Sequence, residues 1–264
     1  MRRSSLFWGA ILLLAGVLLL LDNLGILDVD VWSLIWPLFL IAVGVWFLLG
    51  TVFGKRFSQS EHVSIPLANA SRARVRINHG AGRLNIFAGD AGAGDLAEGD
   101  FGGGLDLSAR PNGDTLDVSL GVPVQFFPMF WSPGYSLDWS VGFNRNVPLS
   151  LNLNTGAGEA RLELADLNVS DLRLQTGASS STVTLPAHAG STHVEVESGA
   201  AAVNLRIPEG VAARIRVRSG LAGISVDQHR FPRQGEYYQS PDYDTASNKA
   251  DIFVQTGVGS VDVR

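Results

Sequence analysis

Apolar and polar side chains alternate in short stretches along most of this chain, and the alternation returns at a fixed distance from a glycine. Val75/Ile77, Leu151/Leu153, Leu172/Leu174, Val194/Val196, Ile215/Val217 and Ile252/Val254 stand five and three residues before Gly80, Gly156, Gly177, Gly199, Gly220 and Gly257. A polar residue and then a Ser, Thr or His separate each pair from its glycine. A second apolar pair follows, as at Leu84/Ile86, Leu162/Leu164, Val183/Leu185 and Val261/Val263. Alternation with period two predicts strands that bury one face. The glycine predicts a bend, since it accepts a positive φ without steric cost, and the Ser or Thr before it can bond backbone groups at the corner.

The intervals between these glycines are 21, 22, 21 and then 37 residues from Gly156 onward. A step of about 21 residues is the length expected of one coil of a β-solenoid, in which each unit bonds to the coils on either side. A sandwich of irregular hairpins would not keep such an interval. The pattern therefore predicts an all-β repeat domain of stacked strand–turn–strand units over 151–264. An insert at 228–250 separates the fifth and sixth units, and Val261-Asp262-Val263 stands as the last repeat strand, at an edge with little to cap it.

Upstream, the alternation continues over 58–121 at Val63/Ile65/Leu67, Leu105/Leu107 and Leu116/Val118/Leu120, with a turn at Pro111-Asn112-Gly113-Asp114. The Gly- and Asp-rich stretch 89–104 lacks any regular calcium-binding spacing and is expected to be a solvated loop. Residues 122–150 form an aromatic and Pro-rich connection. Within it Phe126, Phe127, Phe130 and Trp131 are candidates either for a cap on the solenoid or for a partner surface. Tyr237 and Tyr238 in the polar insert are further candidates for partner contact, because insertions in solenoids emerge on one face.

The alternation is absent from residues 1–57. Residues 6–21 are wholly apolar or small, and residues 32–53 carry no charge. The second run is long enough for a hydrocarbon core of about 30 Å. The first covers roughly 24 Å as a helix and is lengthened by Leu24, Ile26 and Leu27. A two-helix transmembrane hairpin is expected, contacting the lipid bilayer through residues 6–53. Arg2, Arg3, Lys55 and Arg56 flank the pair, and the connecting loop holds Asp22, Asp28 and Asp30 without a positive residue. The positive-inside rule then places both termini and the β domain in the cytoplasm.

Composition narrows the function classes. A net charge of −5 and no basic run exclude a nucleic-acid partner. The absence of cysteine removes disulfides, thiolate metal sites and a thiol nucleophile. No nucleophile elbow, phosphate loop or HExxH helix occurs, and the five histidines are scattered without ligand spacing, so no enzyme, cofactor or metal is expected. Asn69-Ala70-Ser71 and Asn168-Val169-Ser170 match the glycosylation acceptor pattern, which a cytoplasmic domain would leave unmodified.

The second apolar run, WSLIWPLFLIAVGVWFLLG, resembles the LiaI/LiaF-like transmembrane region, and the recurrent Thr-Gly and Ser-Gly units with flanking Val and Leu resemble the toast-rack or adhesin-like β-repeat domain. The resemblance implies a non-enzymatic bacterial inner-membrane protein tied to cell-envelope stress, where one LiaF-like protein restrains a sensor histidine kinase. Two spans stand here where some members have four. A membrane sensor kinase is thus one expected partner and self-association another, as a structural scaffold. An adhesin-like domain on the cell surface would need the opposite topology. No catalytic residues are implied.

Overall fold

The computed structural model describes residues 36, 37, 39–41, 60–90, 92, 94–123 and 137–264. Within the second apolar run, Trp36, Pro37 and 39–41 are helical and exposed, and the Trp36 and Phe39 rings meet edge to face with centroids 6.1 Å apart. Among the described residues no helix is long and apolar enough to cross a membrane. The expected hairpin lies almost wholly outside the described residues.

Everything described from residue 60 onward is β-structure and its connections. The strands are β1 (Ser60–Pro66), β2 (Arg72–Gly89), β3 (Asp95–Gly102), β4 (Asp106–Asn112), β5 (Thr115–Gly121), β6 (Trp139–Asn144) and β7 (Leu149–Glu163). They continue with β8 (Val169–Thr184), β9 (Ser191–Arg206), β10 (Ala212–Val226), β11 (Arg233–Gln234), β12 (Tyr237–Gln239) and β13 (Lys249–Val263). All thirteen belong to one sheet whose main path runs β1-β3-β6-β2-β7-β8-β9-β13-β10-β12-β11.

Each expected strand–turn–strand unit is one long strand bent at its glycine. Pairing between neighbours is parallel and runs straight through the bend: His79 pairs with Thr155 and Ala81 with Ala157, so only the glycine column is skipped. The same gap recurs between β7 and β8, β8 and β9, β9 and β13, and β13 and β10. The halves before and after the bend bury opposite runs of one core. Leu151, Leu153, Leu172, Leu174, Val194 and Val196 come from the first halves, and Leu162, Val183, Val203 and Leu205 from the second, with Leu185 just past the end of β8. Loops carry the ladder onward, with Leu164 N donating to Thr184 O at 3.0 Å and Leu185 N to Arg206 O at 2.9 Å.

The glycines are needed for a reason other than a positive φ. None of the six turn glycines lies in the left-handed region; Gly82, Gly158 and Gly259, two residues further on, do. A Cβ at Gly156 would stand 2.3 Å from Gly80 O, at Gly177 2.5 Å from Gly156 O, and at Gly257 2.6 Å from Gly199 O. Each carbonyl of the column points at the next glycine, so the coils close to sheet spacing only where no side chain intervenes.

Two features depart from the sequence reading. The strand after Gly257 is not at an edge: β13 lies between β9 and β10, so the sixth repeat sits between the fourth and the fifth. Its backbone is held on both sides, with Val254 paired to Val196 and to Val217. The insert carries the chain round the outside of β10, where β12 adds antiparallel to Arg214 and Ile215, and then back into the vacant slot. The stretch 89–104 is also not a loop. Its residues 95–102 form β3, paired with β1 and β6, and Leu96, Ala97 and Phe101 are fully buried. The Pro111–Asp114 turn is present as expected, joining β4 and β5 with Gly113 at φ 62°.

Candidate functional site

The repeat lines up side chains in columns one strand spacing apart, about 4.8 Å. Along the bends two columns run side by side. One is Asn78, Asn154, Gln175, Glu197, Gln255 and Arg218; the other is His79, Thr155, Thr176, Ser198, Thr256 and Ser219. An open groove of about 1030 Å³ follows both columns from Asn78 to Gln255, with Gly121 and Val122 at one end.

Polar side chains in the groove are partly tied to one another. Asn154 Nδ2 donates to Asn78 Oδ1 at 3.0 Å, and Gln175 Nε2 donates to Glu197 Oε2 at 2.8 Å. The hydroxyls of Thr155, Thr176, Ser198 and Thr256 are buried without a hydrogen-bond partner among the described residues. Buried unpaired hydroxyls cost free energy, roughly 1–3 kcal/mol each, so this wall of the groove is unusually polar for its depth.

His79 closes one end. Its Nε2–H donates to Leu137 O at 2.7 Å, its ring lies 5.1 Å from that of Trp139, and Trp139 in turn meets Phe101 edge to face at 5.2 Å. Burial lowers the His79 pKa below the ordinary histidine value, opposed by the Leu137 carbonyl and by Asp138. With one nitrogen committed to a carbonyl and the ring packed on Trp139, His79 is a packed neutral donor, not a free base. Among the described residues no group of three or more His, Asp or Glu is placed to hold a metal ion.

The candidate contact residues fall in different places. Phe126, Phe127, Phe130 and Trp131 lie outside the described residues. Trp139, from the same aromatic stretch, is a buried core residue of β6. Tyr237 and Tyr238 are half-buried against the domain's own β10 edge: Arg216 lies 4.5 Å over the Tyr237 ring, and Tyr238 packs against the core. Tyr243, in the same insert, carries Arg214 at 4.3 Å and Lys249 at 5.7 Å over its ring. Ser240 bonds both the N–H and the C=O of Ala213, and Phe231 is fully buried. The insert is therefore a cap on the first half of β10. The alternation of Arg on β10 with Tyr in the insert was the available signal.

Comparison with known proteins agrees with this architecture. The family described as the N-terminal domain of toast_rack, DUF2154, matches residues 54–206, more than half of the chain, and the protein belongs to that family. Residues 6–48 match the LiaI-LiaF-like transmembrane region, which marks a membrane-anchored protein. Among solved structures, a candidate cell adhesion protein from Clostridium sporogenes shares the fold with TM-score 0.71 at 17% identity, covering 78% of this chain and 98% of its own. A candidate adhesin from Bacteroides fragilis aligns with TM-score 0.30 at 8% identity over 78% of this chain and 99% of its own, too weakly to carry any argument. No curated protein matches the chain.

Proposed function

We propose that this is a membrane-anchored, non-enzymatic interaction protein whose β domain offers the groove along its bends to a partner. In this reading it sits in the bacterial inner membrane by a two-span hairpin, with both termini and the β domain cytoplasmic, and it modulates envelope-stress signalling by contact with a sensor kinase. The observation that carries the reading is the 1030 Å³ groove with its polar columns, built by a rigid repeat. The match of residues 6–48 supports the anchor.

The test combines topology and output. Because the chain has no cysteine, single cysteines in 22–31 and in 228–250 report sidedness to an impermeant maleimide applied to intact cells. Labelling confined to 22–31 is expected. Labelling in the insert would overturn the cytoplasmic placement and favour the adhesin-like reading, to which the fold of the Clostridium sporogenes protein lends support. The groove is tested by Gln175→Lys with Glu197→Lys in the full chain. An altered envelope-stress reporter with unchanged membrane level and melting temperature is expected, and an unchanged reporter would refute the regulatory role.

A further inference from the structure

The sheet ends differently at its two sides, and one end is unguarded. Where β4 forms an outer edge it carries Asp106, Arg110 and Pro111, and β1 carries Glu61, His62 and Pro66. Charges and prolines of this kind are what keep sheet edges from pairing with another chain. At the opposite side β12 covers β10 only at Arg214 and Ile215. From Gly220 to Val226 the outer edge of β10 has no strand partner among the described residues, and the sequence Gly-Leu-Ala-Gly-Ile-Ser-Val contains neither charge nor proline.

The side chains change in the same place. The column just after the bend reads Ala81, Ala157, Ala178, Ala200 and then, at this end, Val258 and Leu221. Val258 is 53% and Leu221 81% exposed. Ile224 pairs with Val261, which is 1% exposed, yet is itself 41% exposed because no strand lies beyond it. Large apolar side chains thus replace alanine in this solvent-facing column only where the sheet stops.

Charge says what covers it. Arg218 precedes the neutral stretch and Asp227 follows it, and neither has an ion-pair partner among the described residues. We propose that the Gly220–Val226 edge pairs antiparallel with the same edge of a second copy, forming a closed two-fold dimer. Antiparallel pairing brings Arg218 of each copy toward Asp227 of the other, whereas parallel pairing sets like charges together. The arrangement is isologous and uses up both edges, so it ends at two copies and does not grow into filaments. It continues the sheet across the axis, with antiparallel pairing at the seam, and covers Leu221 and Ile224.

The test uses the full chain in its membrane. Single cysteines placed one at a time at 221–226 are oxidised in native membranes, with Ser108→Cys on β4 as the reference edge. Disulfide dimers are expected within 221–226, strongest at one or two positions near the middle and falling toward both ends, with none at Ser108→Cys. Cross-linking that is absent or uniform across 221–226, or a ladder of trimers and larger species, would overturn the proposal. In purified full-length chain, Arg218→Asp is expected to weaken dimerisation about tenfold, two exposed ion pairs being lost per dimer. Adding Asp227→Arg should bring it back to within about threefold of the parent. A double variant no better than the single one would show that the two charges do not meet.

Discussion

The middle of the β domain and its far end are built from nearly the same repeat yet threaded differently. From β7 to β9 each coil follows the last in chain order and pairs with it through the bend. Beyond β9 the chain leaves a slot, lays down β10, runs through the insert and returns to fill the slot with β13. Both regions satisfy the same side-chain register: Val196 meets Val254 as Leu174 meets Val196. Register in a parallel repeat is a property of the spacing between apolar residues and glycine, whereas the order of coils is decided by what lies between them.

The comparison can be broken most severely in the returning strand. Val254→Asp places an unpaired charge in the core between β9 and β10, and a loss of more than about 4 kcal/mol is expected. Hydrogen exchange of the full chain should then show protection lost from both Lys249–Val263 and Ala212–Val226 while Leu149–Thr184 keeps its own. Equal loss throughout would mean that the two regions are one cooperative unit.

Next in size comes the glycine column. Gly158→Ala sets a Cβ 1.9 Å from Gly82 O at φ 136°, so a cost of about 3 kcal/mol or more is expected by denaturant unfolding followed by tryptophan fluorescence. Gly80→Ala meets nothing within 4 Å and should stay within about 1 kcal/mol of the parent. Gly156→Ala, at a φ outside the left-handed region but with its Cβ 2.3 Å from Gly80 O, separates the two causes, and a cost there as small as at Gly80 would show that conformation, not the facing carbonyl, sets the requirement.

Core truncation sharpens the contrast between middle and end. Leu174→Ala is expected to cost about 2–5 kcal/mol, because the site is enclosed by β7 and β9. Ile224→Ala, at the half-open end, should cost about 1 kcal/mol or less in the monomer. The smallest effect belongs to pH. His79 has its pKa lowered in the fold, so the unfolded chain binds the proton more readily and stability falls as pH drops below the ordinary histidine value of about 6.5. His79→Gln should flatten the melting temperature between pH 7 and 5, and an unchanged slope would place the titrating group elsewhere.

Much of this was legible in the residues. The strands, the buried face and the coil-to-coil register follow from the apolar pairs and the glycine interval, which is why 151, 172, 194 and 252 sit side by side as their spacing demands. Coil order was hidden because β10 and β13 present the same alternation, and either fits against β9. The deciding contacts, Arg214 with Tyr243 and Arg216 with Tyr237, join residues of a repeat to residues of a polar insert that reads as loop. Strand β3 was hidden by its composition. Gly99 packs where a Cβ would lie 2.5 Å from Ser140 O, so the glycine that suggested a loop is required by a close strand neighbour. The groove's amide column was present in the polar residue before each Ser, Thr or His, but its meaning depends on the coils being in register.

The place of β13 also bears on how the protein is made. A ribosome delivers β10 before β13, and at that moment the open edge of β9 offers β10 the pairing that β13 will finally hold. The two strands carry matching alternation, so the early partner is a near-equivalent and not a gross error. Completing the native order then means that residues 249–263, once released, displace a strand already seated or find it held aside by the 228–250 segment on its outer edge. In the second case the tyrosine and serine contacts of that segment would act in time as well as in space, keeping a place for a strand not yet synthesised.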